Sequence, residues 1–511
     1  MSETRAPTAA ADTVKVFGHH INGRSVPSAS GGLIDVHAPA TGAVIARIAD
    51  GGPQEVEQAV AAARTALNSP DWAAMSPRER GKLVIHLAEL MERNLDELFH
   101  LETLNNGRPL RETRSQISRA PDLFRYNAAL AIARRDDVIP VEGPYFTFTK
   151  RLPIGVVANI SPFNHPLLIA CRNIAPTLAS GCTTVVKPSE YTPLTVLRLA
   201  EIFEDGGLPP GVLNVVTGFG ATAGKALVEN PGINKLVLTG GTESGRLAGA
   251  AAASNFAHQT LELGGKTPVL VFGDYDVDRA VDFALFGAFV GAGQTCVCAA
   301  RHIVHRSIYA AFVEKLAARA NALRVGDPFD PATQVGPVIS EKQRQRVLRF
   351  VEAGKVEGAR LVAGGTVPDD PALAGGFFVR PTVFADVTNQ MQIAREEVFG
   401  PFTVVIPFDT EEEAIEIAND TPYGLGAAIR TNDITRALRL VDRIDAGIVW
   451  INDHHRIDPA SPWGGVKLSG TGREYGEEAF NAYFTTKAVM VRTSEQRFDW
   501  FADADAPQRL N

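Results

Sequence analysis

Apolar residues recur every three or four positions from Pro53 to Leu67, placing Val56, Val60, Ala63 and Leu67 on one face, and this period predicts an amphipathic helix. Ser76-Pro77 predicts the start of a second helix, with serine at the cap, proline at the first turn, and Leu83, Leu87, Leu90 and Met91 continuing the apolar stripe. The region before residue 130 therefore reads as mainly helical. From Tyr145 to Leu152 aromatic and polar residues alternate instead, predicting a strand with one buried face. Between residues 153 and 305 the chain switches to short Val/Ile-rich runs, starting near Gly155, Thr183, Val212, Lys235 and Pro268, with helical stretches between them. This rhythm predicts parallel strands joined by crossover helices, because such strands are buried on both faces and read as continuous apolar runs. The alternation resumes with a different rhythm from residue 306 to about 470, through FFVRPTVFADV, FTVVIPF and GIVWIN, and predicts a second α/β unit.

A chain of 511 residues is too long for one ordinary core. Its 45% hydrophobic and 21% charged residues exclude a disordered or collagen-like protein. The net charge of -8, with no dense basic tract, argues against a nucleic-acid partner. Cys171, Cys182, Cys296 and Cys298 are too few and too bunched to staple the fold, which points to a reducing, cytoplasmic setting. No apolar run approaches the roughly twenty residues that a membrane-spanning helix needs, so no membrane partner is expected. Residues 1–13 and 496–511 read as flexible polar tails, the first without the apolar core of a secretory leader.

Four segments carry candidate chemistry. Gly218-Phe219-Gly220-Ala221-Thr222-Ala223 follows a strand and precedes a helix, and reads either as a structural turn or as a phosphate loop. Gly293-Gln294-Thr295-Cys296 sets a cysteine after a glycine that permits an unusual backbone path, so the thiol is either a core filler or a nucleophile. Leu261-Glu262-Leu263-Gly264-Gly265-Lys266 holds a carboxylate among apolar residues, either a structural acid or a general base whose pKa burial raises. In Ser161-Pro162-Phe163-Asn164-His165-Pro166 an asparagine stands between two prolines at a strand end, where its amide can donate to a developing oxyanion or simply shape a loop.

Together with Lys187-Pro188-Ser189-Glu190, Glu397-Val398-Phe399-Gly400-Pro401 and the stretch from Trp463 to Glu474, the last three of these segments, but not the Gly218 turn, resemble, in the family's order, the motifs of the aldehyde dehydrogenase superfamily, over about residues 20 to 492. The resemblance implies an α/β fold with a doubly wound, Rossmann-like cofactor domain at 14–130 and 153–264. It implies a second α/β catalytic domain at 265–470 and a small β oligomerisation element at 131–152 and 475–495, hence a homodimer or homotetramer. Cys296 would be the nucleophile and Glu262 the base. Asn164 and the Cys296 backbone N–H would form the oxyanion hole, with Cys298 a bystander. The implied cofactor is NAD, with no metal. Lys187 and Glu190 would sit on the adenosine ribose, Glu397 on the nicotinamide ribose and Phe399 beside the nicotinamide ring. Ser161, Phe163, Thr239, Gly240, Gly241, Gly245 and Leu263 would line the rest of the cofactor site.

This chain departs from the common pattern in three places. Gly241 replaces a serine near the pyrophosphate, Phe163 replaces a frequent tryptophan, and Asn173 stands where a lysine is common, so no proton relay between such a lysine and Glu474 carries over. The implied substrate pocket comprises His165, Ile169, Arg172, Thr295, Val297, His455, Ile457 and Trp463. Arg172 would oppose a quaternary ammonium, clamp the carboxylate of a semialdehyde, or pair with a nearby acid. The expected activity is NAD-dependent oxidation of a neutral, aromatic or carboxylated small-molecule aldehyde to its acid. The rivals are a betaine- or amino-aldehyde dehydrogenase, a coenzyme-A-acylating enzyme and a non-catalytic protein that keeps the fold.

Overall fold

The computed structural model describes residues 14–497, 499 and 501; the expected tails, apart from residues 496, 497, 499 and 501, lie outside the described residues. Two predicted helices form where expected. The first spans Pro53–Leu67, and the second, Pro77–Arg93, is capped by Ser76, whose hydroxyl accepts the Glu79 N–H at 3.3 Å. Its fully buried stripe is Val84, Leu87, Ala88 and Met91, with Leu83 and Leu90 only half-buried, so the buried face is turned slightly from the one the spacing predicts.

The region before residue 130 is mainly helical, as expected, but its first part also holds strands that the spacing does not predict. Five short strands precede the first helix: Val16–Phe17, His19–Ile21, Arg24–Val26, Leu33–His37 and Val44–Ala49. They escape a periodicity argument because most are only two to five residues long and several carry polar or charged residues. His19–Ile21 and Arg24–Val26 extend the first large sheet, and the other three make a small sheet of their own.

The first large sheet runs in the order Gly470–Thr471, His258–Glu262, Lys235–Thr239, Val156–Ile160, Thr183–Lys187, Leu213–Val215, His19–Ile21, Arg24–Val26. Its central five strands are parallel, and the outer ones are antiparallel. From Val156–Ile160 the chain winds outward to one side through Thr183–Lys187 and Leu213–Val215, then returns to wind the other way from Lys235–Thr239. The winding reverses between Val156–Ile160 and Lys235–Thr239, which opens a crevice at their carboxyl ends. Helices cover both faces. Val185 packs with Val56, Val60 and Ala63 on one side, and Val186 packs with Ile174, Leu199 and Phe203 on the other.

The second sheet orders Arg360–Ala363, Thr382–Ala385, Phe402–Phe408, Ala299–His305, Thr267–Val271, Gly426–Arg430 and Ile448–Ile451, all parallel except the first. The run near Pro268 therefore belongs to this sheet rather than continuing the first one.

A third, antiparallel sheet pairs Val138–Ile139 and Phe484–Arg492 with Tyr145–Pro153. The predicted strand forms, and the face it buries is the threonine one. Thr147 and Thr149 are buried, while Phe146 is 47% exposed.

Candidate active site

The crevice collects the ends of strands from both large sheets. Asn164 sits in the turn between Val156–Ile160 and the fully buried helix Pro166–Ser180, and Glu262 is the last residue of His258–Glu262. Cys296 lies in the connection from the helix Val277–Phe289 to the strand Ala299–His305. The double glycine of the Glu262 segment explains how these elements meet. A side chain at Gly265 would stand 2.5 Å from the Cys296 carbonyl, and one at Gly264 would stand 2.5 Å from Glu397 Oε2. Gly464 presses from the C-terminal segment in the same way, leaving only 2.7 Å between Glu262 Oε1 and any Cβ added there.

Glu262 is buried, and neither carboxylate oxygen has a hydrogen-bond partner. Burial, followed by the charge of Glu474, holds its carboxyl well above the usual range, against the pull of Arg172 and Arg473. Burial also pushes the Cys296 thiol up to about 12, and Arg172 is the strongest influence in the opposite direction. Cys298 faces elsewhere, with its Sγ 3.6 Å from the Ala288 carbonyl.

Arg172 itself pairs with Glu474 at 2.6 Å, and its guanidinium lies 5.1 Å from the ring centre of Tyr475 and 5.7 Å from that of Trp463. Of the uses considered for this arginine, the structure contains the pairing with an acid. Asn173 donates only along its own helix, to the Ile169 carbonyl at 3.4 Å.

On the other side of the crevice, Gly240 and Gly241 lead into the helix Thr242–Ser254. A side chain at Gly241 would meet nothing within 4 Å, whereas Gly245 is pressed against Leu263, 2.2 Å from where its Cβ would be. The hydroxyls of Ser161 and Thr242 are buried without partners, and the Thr239 hydroxyl lies 3.5 Å from Glu474 Oε1. Lys187 ends its strand 3.4 Å from Glu190, and burial lowers the pKa of its ammonium. Glu397 accepts the Gly265 N–H at 3.1 Å, and burial raises its carboxyl to about 7. Phe399, at φ 58°, meets Phe163 edge to face at 5.7 Å.

The Gly218 turn lies farther along the same sheet, and the glycine that ends it, Gly224, sits against the Lys187 side chain. It follows Leu213–Val215, two strands from the reversal, and a Cβ at Gly218 would stand 2.8 Å from the Gly51 carbonyl, so close packing accounts for that glycine.

A cavity of about 980 Å³ adjoins the site. His165, His455 and Ile457 line it, together with Phe286 and Phe289. Ile169, Arg172, Thr295, Val297 and Trp463 do not line it, and all are buried.

Sequence reasoning missed the scaffold beneath Asn164. Asn106 donates to the Phe163 carbonyl at 2.6 Å, and Arg108 reaches His165 Nδ1 at 2.7 Å while pairing with buried Glu102 at 2.5 Å. Glu102 also accepts the Leu167 N–H at 3.1 Å. The available signal was a cluster of charged and amide residues, Glu102 to Arg108, within an otherwise helical stretch.

The family model for the aldehyde dehydrogenase family matches residues 26–489. The chain belongs to the aldehyde dehydrogenase family. It is 45% identical over 475 residues to a betaine aldehyde dehydrogenase of Sinorhizobium fredii, covering 93% of this chain and 96% of that protein. It superposes on the crystal structure of PnpE from Pseudomonas sp. WBC-3 with a TM-score of 0.92 at 42% identity, covering 96% of this chain and all of the other. A betaine aldehyde dehydrogenase from Staphylococcus aureus, solved in complex with NAD+, gives a TM-score of 0.93 at 38% identity, covering 95% and 96% of the two chains. Among the described residues, no helix is long and apolar enough to cross a membrane.

Proposed function

We propose that this aldehyde dehydrogenase oxidises a neutral, aromatic or carboxylated aldehyde to the carboxylic acid with NAD, through a thioester on Cys296. The observation that carries the reading is the meeting, at the reversal of the doubly wound sheet, of a cysteine with a buried carboxylate that has no hydrogen-bond partner among the described residues. The Cys296 thiolate adds to the aldehyde carbon, and Asn164 with the Cys296 backbone N–H stabilises the resulting oxyanion. NAD, when bound, would supply the acceptor for the hydride that must leave this carbon as the oxyanion collapses. Collapse of the oxyanion leaves the thioester on Cys296, and Glu262 takes a proton from water as that water attacks, so the acid departs and the thiolate is restored. A water-activating base in this position favours hydrolysis over acyl transfer to coenzyme A.

The crevice fits NAD. The unpartnered hydroxyls of Ser161 and Thr242 and the open helix start at Gly241 suit a pyrophosphate, for which the missing serine leaves backbone N–H groups as the main donors. Lys187 and Glu190 would take the adenosine ribose, and the Glu190 carboxylate would repel a 2′-phosphate. Glu397, seated on Gly265, would hold the nicotinamide ribose beside Phe399.

Arg172 bears on the substrate. The ring faces of Trp463 and Tyr475 that would cage a quaternary ammonium already carry its guanidinium, so a cationic aldehyde would meet an internal cation instead of a cage. On this ground the proposed substrate differs in charge from that named in its betaine-oxidising relatives.

Residues 14–130 and 153–264 are proposed as the cofactor domain, and 265–470 as the catalytic domain. The projecting sheet would pair with a second copy in a homodimer or homotetramer, since Val138 (64% exposed), Phe146 (47%) and Met490 (72%) otherwise face water. Four free cysteines agree with a cytoplasmic setting.

The test is NADH formation from benzaldehyde, an aliphatic aldehyde, a carboxylated semialdehyde and betaine aldehyde, each with and without coenzyme A. Turnover of the first three without coenzyme A, above that of betaine aldehyde, is expected. Faster oxidation of betaine aldehyde than of all the others would overturn the substrate reading, and a strict requirement for coenzyme A would overturn the hydrolytic one.

A further inference from the structure

Ahead of the nucleophile the backbone follows a path that side chains disfavour. Gly291, Ala292 and Gly293 have φ of 62°, 53° and 68°, a left-handed turn that alanine adopts only when its surroundings impose it. Gly293 has no alternative, since a Cβ there would stand 2.0 Å from the Gly400 carbonyl. The far end of the turn is braced by Gln294. Its backbone N–H and side-chain amide both donate to the Gly291 carbonyl, at 3.1 and 3.3 Å, and its Oε1 accepts the Ile339 N–H at 2.9 Å.

The near end is held from a distant part of the chain. The Gly291 N–H donates to Glu112 Oε2 at 2.9 Å, and Glu112 belongs to the helix Leu110–Ile117. This is the only hydrogen bond of the Glu112 side chain among the described residues, and no ion pair within 4 Å holds the carboxylate. Burial raises its carboxyl to about 7 despite the nearby charge of Arg108, so the group stands where its charge is costly. Any side chain at Gly291 would face Arg108 Cδ at 3.8 Å and His165 Cε1 at 3.9 Å, so the turn packs directly on the scaffold that supports Asn164.

We infer that Glu112 is a positioning residue for Cys296: its carboxylate grips the Gly291 N–H and fixes the left-handed turn from which the thiol is presented. The inference rests on the reading of Cys296 as nucleophile. Glu112 acts through the backbone, and the requirement is for an acceptor oxygen at that point.

Glu112→Ala, Glu112→Met and Glu112→Gln test it in the full-length enzyme, with the rate of the first-turnover NADH burst, NAD affinity, and deuterium uptake by the peptide carrying residues 290–298 as readouts. Removing the acceptor should slow the burst at least about 10-fold, since a 1 Å misplacement of a reacting group can cost about 10²-fold. Uptake by the loop peptide should rise while NAD affinity stays within about 2-fold. Glutamine keeps an acceptor oxygen and should restore the burst to within about 3-fold of wild type. The methionine variant, similar in length but without the acceptor, serves if the alanine variant does not fold. A normal burst in the variants lacking the acceptor, or a glutamine variant as slow as they are, would overturn the inference. Cys296→Ala is the control: a burst that survives it sinks the nucleophile assignment, whereas its loss beside normal Glu112 variants sinks this inference alone.

Discussion

The cofactor crevice and the substrate cavity lie side by side but are built differently. The crevice is made largely of backbone: strand ends, a helix start at Gly241 and the close contacts of Gly245, Gly264 and Gly265, positions where a side chain is excluded or left without a neighbour. The cavity is made of side chains from distant segments, with His165, Phe286 and His455 brought together from three parts of the chain. Backbone constraints leave short, fixed motifs, whereas a wall of side chains accommodates exchange at each position separately. Under the proposed function, the cofactor chemistry would fall on the first surface and the choice of aldehyde on the second.

The sharpest way to break this division is at the thiol. Cys296→Ala should abolish NADH formation, by about 10³-fold or more, with NAD binding nearly intact in a titration, while Cys298→Ala stays within about 3-fold. Equal losses in both variants would mean that Cys298, whose Sγ meets the Ala288 carbonyl, is not the bystander it is expected to be.

Glu262→Gln should give one burst of NADH and then stall, with steady turnover lower by about 10²-fold or more, because acylation precedes the water step. A slowed burst in stopped-flow traces would move Glu262 to an earlier role.

Arg172 lies on the border between the two regions, and its pairing with Glu474 changes what its removal should do. The sign follows from the charges. Losing the cation raises the Cys296 pKa further above about 12 and so lowers the thiolate fraction at any working pH. Arg172→Leu should therefore slow iodoacetamide alkylation of the ligand-free enzyme about 10-fold, the effect of one pKa unit, and slow kcat for all aldehydes alike. In the wild type, alkylation should keep rising through pH 10 without a plateau. A change confined to the KM of carboxylated aldehydes would return Arg172 to a direct substrate contact.

The smallest effect is expected at the adenosine end. Glu190→Ser should narrow the kcat/KM preference for NAD over NADP by less than about 10-fold, since the carboxylate is partly open to water and its charge is screened. A wild-type preference for NADP would contradict the assignment of Glu190.

What could be read in the sequence follows the same division. Thr183–Lys187 and Lys235–Thr239 are buried at every position and announce themselves as apolar runs. His19–Ile21 and Arg24–Val26 add strands at the edge of the same sheet with only three residues each, too few for a period to show. Tyr145–Pro153 was legible as a strand but not in orientation. Phe146 is exposed while Thr147 and Thr149 are buried, and alternation alone does not say which face turns inward. Asn164, Glu262 and Cys296 stand in compact motifs. Glu102, Asn106 and Glu112 meet backbone groups at 167, 163 and 291, and these contacts exist only once the chain is folded. Arg172 was legible as a cation near the site, expected in the substrate pocket, but its burial and its partner, Glu474, about 300 residues away, emerge only from the fold.

The account stands or falls on where the acyl group goes. Glu262→Gln enzyme mixed with NAD and benzaldehyde, quenched within the first turnover and digested, should show the benzoyl mass on the peptide that contains Cys296, with fragmentation assigning it to that residue and one acyl group per NADH formed. NADH formation with no acylated peptide, or with the acyl group on Cys298, would contradict it.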